Sequence, residues 1–91
     1  MRKTMQVFYE GRVQGVGFRY TARRVASGFD VCGYVRNVPD GRVELVASGE
    51  PEEVDDFLAT MRESELAGHI DNESFAEINS PAGLRGFEIR A

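Results

Sequence analysis

Met5, Val7 and Tyr9 alternate with Gln6, Phe8 and Glu10, a period-two pattern that predicts a strand with one face more apolar than the other. A glycine-rich stretch from Gly11 to Gly17 follows. The periodicity then changes. Phe18, Ala22, Val25, Ala26 and Phe29 fall on one face of a helix, Arg23 and Arg24 point elsewhere, and Gly28 is the expected stop. Val31 to Asn37 reads as a second strand, and Val38-Pro39-Asp40-Gly41 as a tight turn with proline and glycine suitably placed. Arg42 to Ser48 predicts a third strand with Val43, Leu45 and Ala47 on one face. The second helix has the clearest pattern. Pro51 suits its first turn, Glu52 and Glu53 complement the positive end of the helix dipole, and Val54, Phe57, Leu58 and Met61 recur at i, i+3, i+4 and i+7. His69 to Ile78 can form a fourth strand, though its alternation is weak; Asn79 to Gly86 is loop-like, and Phe87 to Arg90 is a short terminal strand.

The order is βαββαβ plus a short C-terminal strand. It predicts an α+β domain of the ferredoxin-like, split βαβ plan, with two helices on one face of a mostly antiparallel sheet. No linker or repeat divides residues 1–91, so a single domain is expected. In a βαβ unit the two strands run parallel and end at the same edge of the sheet. The glycine stretch leaves the end of the first strand and Asn37 ends the second, so the two should face one region of space.

Composition narrows the setting. The chain has 91 residues, 42% of them hydrophobic, enough for one modest core. It has no apolar run near the ~20 residues needed to cross a bilayer and no apolar leader segment. No membrane partner is therefore expected. The lone Cys32 cannot form an intrachain disulfide and points to a reducing cytoplasm; beside Val31, Gly33 and Tyr34 it reads as a buried, inert thiol. No Cys/His cluster suggests zinc, the acidic run from Glu50 to Asp56 lacks the spacing of a calcium loop, and His69 reads as an exposed non-ligand. The net charge of −4 argues against general nucleic-acid binding. Its distribution is uneven: residues 1–37 carry seven Lys/Arg against two acids, and the remainder four against thirteen. The first part would attract a small anion and the second would repel it.

The glycine stretch offers a place for that anion. A glycine-rich turn opening a helix can present unpaired N–H groups and the positive end of the helix dipole. Arg19 stands in that first turn, where an exposed cation costs roughly 0.3–1 kcal/mol against the dipole. A bound phosphate-like anion would offset the cost. Taken singly, Gly15 and Gly17 also fit a plain tight turn, Arg19 a solvated side chain and Asn37 a cap on the following turn.

The sequence Gly11-Arg12-Val13-Gln14-Gly15-Val16-Gly17-Phe18-Arg19 resembles, almost position for position, the active-site loop of acylphosphatases. Gly33-Tyr34-Val35-Arg36-Asn37 with Asp40-Gly41-Arg42-Val43-Glu44 is similar to that family's second block, and Gly49, the acidic helix start and Phe87-Glu88-Ile89-Arg90 extend the likeness along the chain. The family often has Gly-Pro after the second helix, where this chain has Ser64-Glu65-Leu66-Ala67-Gly68. The resemblance implies hydrolysis of a carboxyl-phosphate anhydride to a carboxylate and inorganic phosphate, without metal or cofactor. It implies that Arg19 binds the phosphoryl group, that Asn37 positions the attacking water, and that the backbone of Arg12, Val13, Gln14, Gly15, Val16, Gly17 and Phe18 cradles the phosphate. The partners implied are a small acyl phosphate and inorganic phosphate, the latter as product and competitive inhibitor. A monomer is the default expectation. An alternative is a non-catalytic module of the same fold that binds phosphate or RNA. Gly15 to Tyr20 is loosely similar to an RNA-binding strand motif, but Phe18 and Tyr20 fall in a predicted helix, whereas that motif needs its aromatics on a sheet face.

Overall fold

The computed structural model describes the whole chain, Met1 to Ala91. Five strands form one sheet: β1 (Lys3–Gly11), β2 (Val31–Asn37), β3 (Val43–Gly49), β4 (Ile70–Glu77) and β5 (Phe87–Arg90). Two helices join them, α1 (Phe18–Ala26) and α2 (Pro51–Arg62), and a short 3₁₀ turn (Ala67–His69) leads into β4. The spatial order is β4-β1-β3-β2-β5. β1 and β2 each pair antiparallel with β3, so they run parallel to one another with β3 between them, as the split βαβ plan requires. β4 is antiparallel to β1, and β5 is parallel to β2.

The core forms where the helices cover the sheet. Val7 and Tyr9 of β1, Val43, Leu45 and Ala47 of β3 and Val35 of β2 meet Phe18, Ala22 and Ala26 of α1 and Val54, Phe57, Leu58 and Met61 of α2. Burial of each large apolar side chain contributes about 1.5–3 kcal/mol, which makes this layer the main stabilising term. Tyr9 and Phe18 pack at 4.9 Å between ring centroids, joining the end of β1 to the start of α1.

The central position of β3 has a consequence that alternation does not predict. Every residue from Val43 to Gly49 is buried, including Glu44 and Ser48 on the face away from the helices. Their polar groups are paired: Thr4 Oγ1 and Ser48 Oγ lie 2.8 Å apart, and the Glu44 carboxylate accepts from Gln6 and Arg36. A buried carboxylate without those donors would cost several kcal/mol.

The boundaries shift where local packing overrides the pattern. α1 ends at Ala26, two residues before Gly28, and Ser27 Oγ donates back to Arg24 O at 2.6 Å. Phe29 lies beyond the helix but packs on the core, and Thr21 is buried in α1. The third strand begins and ends one residue later than its sequence pattern predicts, and the fourth occupies Ile70–Glu77. Cys32 is half-buried, with Arg2 Nη2 3.7 Å from its sulfur, because β2 faces solvent on the side that no helix covers. His69 ends the 3₁₀ turn and is also half-buried. No helix is long and apolar enough to cross a membrane.

Candidate active site

The glycine stretch joins β1 to α1 at one edge of the sheet. Gly15 and Gly17 adopt left-handed φ values of 78° and 77°, and a β-carbon added at either would meet nothing within 4 Å. The glycines are therefore required by backbone conformation rather than by crowding, and the space above them is open. Val13 and Phe18 are buried and anchor the two ends of the loop. The N–H groups from Arg12 to Gly17 donate to no acceptor in the protein. Gly17 precedes the first residue of α1, whose first-turn N–H groups point the same positive end of the helix outward. A loop of unpaired donors running into a helix N-terminus is suited to an anion.

Arg19 is half-buried on that first turn, which contains no acidic residue. Its Nη1 donates to the main-chain oxygen of Arg90 at 2.9 Å. That carbonyl offsets part of the charge placed against the helix dipole and tethers one end of the guanidinium. The contact comes from β5, an element that the sequence pattern assigns to the fold but not to the site. A main-chain acceptor leaves no side-chain signature by which it could be found.

Asn37 is level with the loop across the sheet. Tyr9 of β1 and Asn37 of β2 both pair with Val43 of β3, from opposite sides. Two strand spacings separate them, about 10 Å. Arg36 pairs with Arg90, so the carbonyl that holds Arg19 lies one residue from Asn37 in register. Gln14 Nε2 completes the link, donating to Val38 O at 2.8 Å and Arg42 O at 2.9 Å. The structure thus brings Arg12 to Phe18, Arg19 and Asn37 to one edge. The turn after Asn37 is firm: Val38 N donates to Arg42 O at 2.8 Å, and Gly41 N to Val38 O at 3.0 Å. Asp40 accepts from Arg42 N at 3.0 Å and from Arg42 Nε at 2.8 Å. The backbone hydrogen bond first, and the guanidinium second, hold the Asp40 carboxyl below its usual range.

A separate concavity lies elsewhere. About 350 Å³ opens among Arg62, Ala67, Ile70, Asp71, Asn72 and Glu73, beside the edge strand β4. It holds none of the residues above. An open loop of backbone donors for a tetrahedral anion needs no deep cavity.

Fold and site together define a ferredoxin-like α+β domain with an open loop of unpaired backbone donors where β1 feeds α1. Residues 5–89 match the acylphosphatase family model. The chain is 44% identical over 84 residues to the acylphosphatase of Nostoc sp. (strain PCC 7120), covering 92% of this chain and 82% of that one. It is 41% identical over 88 residues to that of Rubrobacter xylanophilus, covering 97% and 80%. The crystal structure of acylphosphatase from Bacillus subtilis superposes with a TM-score of 0.87 at 32% identity, over 100% of both chains. This chain belongs to the acylphosphatase family.

Proposed function

We propose that this acylphosphatase hydrolyses small acyl phosphates by direct attack of water, with Arg19 holding the phosphoryl group and Asn37 orienting the nucleophile. The observation that carries the proposal is the run of unpaired N–H groups from Arg12 to Gly17 leading into the helix turn that bears Arg19. Those donors and the guanidinium supply positive charge around a phosphoryl group from several directions. With Nη1 engaged by Arg90, Arg19 still has donors on Nε and Nη2 for two phosphoryl oxygens. A lysine has no such planar fork.

The Asn37 amide can donate to and accept from a water but has negligible basicity, so it orients the water without deprotonating it. The water oxygen forms a bond to phosphorus while the bond from phosphorus to the acyl oxygen breaks. The leaving carboxylate takes that electron pair, and the water proton passes to a phosphoryl oxygen. A carboxylate whose conjugate acid has a pKa of about 4–5 departs at neutral pH without a general acid. A loose phosphoryl-transfer transition state requires positioning and charge stabilisation more than covalent help. The cradle grips phosphate and leaves the acyl group largely unspecified, so several small acyl phosphates serve as substrates. Phe18 is buried in α1, which supports reading Gly15 to Tyr20 as part of a phosphate site rather than as a base-stacking surface. A monomer with no nucleic-acid partner completes the proposal; gel filtration and a low-salt gel shift with single-stranded RNA test those two parts.

The deciding assay is release of phosphate from acetyl phosphate and benzoyl phosphate, in excess chelator, with inorganic phosphate as competitor. Turnover of both substrates, inhibited competitively by phosphate, is the expected result. Activity lost to chelator and restored only by a divalent metal would overturn the metal-free scheme.

A further inference from the structure

We propose that the Gln14 side chain is a positioning residue that sets the distance between the phosphate cradle and the water site at Asn37. The inference rests on the reading of Asn37 given above and adds a second part to it. Gln14 is exposed, and an exposed glutamine ordinarily keeps its rotamer freedom and bonds to water. Here its amide nitrogen instead gives one hydrogen to Val38 O and the other to Arg42 O. The direction of the amide is dictated: with both acceptors carbonyls, the opposite orientation would set three oxygens against one another.

The two acceptors are the carbonyls that already close the turn after Asn37. Val38 O accepts from Gly41 N, and Arg42 O accepts from Val38 N. Each has one lone pair left, and Gln14 takes both. No other side chain of the cradle hydrogen-bonds this turn. Val13 and Phe18 fix the cradle to β1 and α1, so the phosphate seat belongs to that half of the molecule. Asn37 ends β2, which lies on the far side of β3 from β1 and leads into the β2–β3 turn. The Gln14 amide spans the gap. Losing it leaves the seat formed but frees the hairpin end, so the water is misaligned while phosphate still binds. A misplacement of 1 Å can cost about 10² in rate, and exposure of this latch places its effect nearer tenfold.

Gln14→Met keeps the length of the side chain and removes both donors. We expect kcat for benzoyl phosphate to fall by about tenfold while inhibition by inorganic phosphate changes by less than about twofold. In an Asn37→Ala background the same change should have no further effect, because the residue through which it acts is gone. Gln14→Ala, read in parallel, guards against a folding defect peculiar to methionine, and circular dichroism checks all four proteins. Parental turnover in folded Gln14→Met and Gln14→Ala overturns the proposal, as does a full additional loss in the Asn37→Ala background or a parallel loss of phosphate affinity. If Asn37→Ala alone turns over at the parental rate, the water-site reading itself fails, which is a separate result.

Discussion

Arg19 Nη1 donates to the main-chain oxygen of Arg90 at 2.9 Å, so the first turn of α1 is held by the last strand of the sheet. Under the proposed mechanism one side chain has two tasks in different directions: it is anchored through one nitrogen, and the rest of its fork would bind the phosphoryl group. A lysine ammonium can serve one direction or the other. Arg19→Lys should remain folded yet lose at least ~10²–10³ in turnover, the usual cost of removing a well-placed donor to a developing charge. Acyl phosphate hydrolysis by the folded variant at the parental rate would remove Arg19 from the site.

Asn37→Ala separates binding from chemistry. It is expected to lower kcat by ~10²–10³ while competitive inhibition by phosphate stays close to the parental value. Arg19→Ala should weaken both. Equal weakening of both by Asn37→Ala would make Asn37 part of the phosphate seat.

Gly33 of β2 is irreplaceable for a packing reason. A β-carbon added there would lie 1.8 Å from Val46 O, and Gly33 N also donates to Gly86 O at 2.9 Å in the connection leading to β5. Gly33→Ala must push β2 away from β3 and disturb the seating of β5. Unfolding in urea should show a loss of 4 kcal/mol or more by order of magnitude, the range in which single changes are exceptional. A midpoint near the parental one would contradict this account of the β2–β3 contact.

Tyr9 is fully buried, and its hydroxyl has no hydrogen-bond partner in the protein. Burial first, and the neighbouring Glu73 carboxylate second, push its pKa well above the ordinary tyrosine value. The folded protein thus keeps the proton at pH values where the unfolded chain, titrating near ~10, releases it. Because the native state then binds more protons, the associated stability is complete below about pH 10 and falls as pH rises above it. Tyr9→Phe should be neutral or stabilising at pH 7 and should flatten the alkaline decline in thermal stability. A loss of several kcal/mol at pH 7 would mean that the hydroxyl has an essential partner.

What the sequence reveals depends on how each residue acts. The second helix is legible because Val54, Phe57, Leu58 and Met61 bury one face and its ends carry suitable charges. β4 is faint because it is an edge strand: from Ile70 to Glu77 no residue is buried, so burial selected little alternation. Glu44 and Ser48 are buried on β3, the central strand of the five, a fact of topology that no local window contains. Arg19, Asn37 and the glycine loop stand out as residue types suited to an anion at the ends of parallel strands. The Arg90 contribution passes through a backbone carbonyl, which every residue has, and the reach of Gln14 to Val38 and Arg42 depends on a hairpin distant in sequence.

The sheet order also governs when the site can exist. β1 is synthesised first, yet both its neighbours, β3 and β4, follow later, and β5 closes on β2 last. Such long-range pairing makes folding slow relative to a helical bundle of similar size. On the ribosome, the motif from Gly11 to Arg19 emerges with some seventy residues, by order of magnitude, still to follow before the Arg90 carbonyl is available. A nascent chain can display the whole signature loop and still leave Arg19 unanchored. The contact that holds Arg19 thus forms only after residue 90 has left the exit tunnel, and a message truncated inside the last strand yields a protein with its motif intact and its guanidinium unheld.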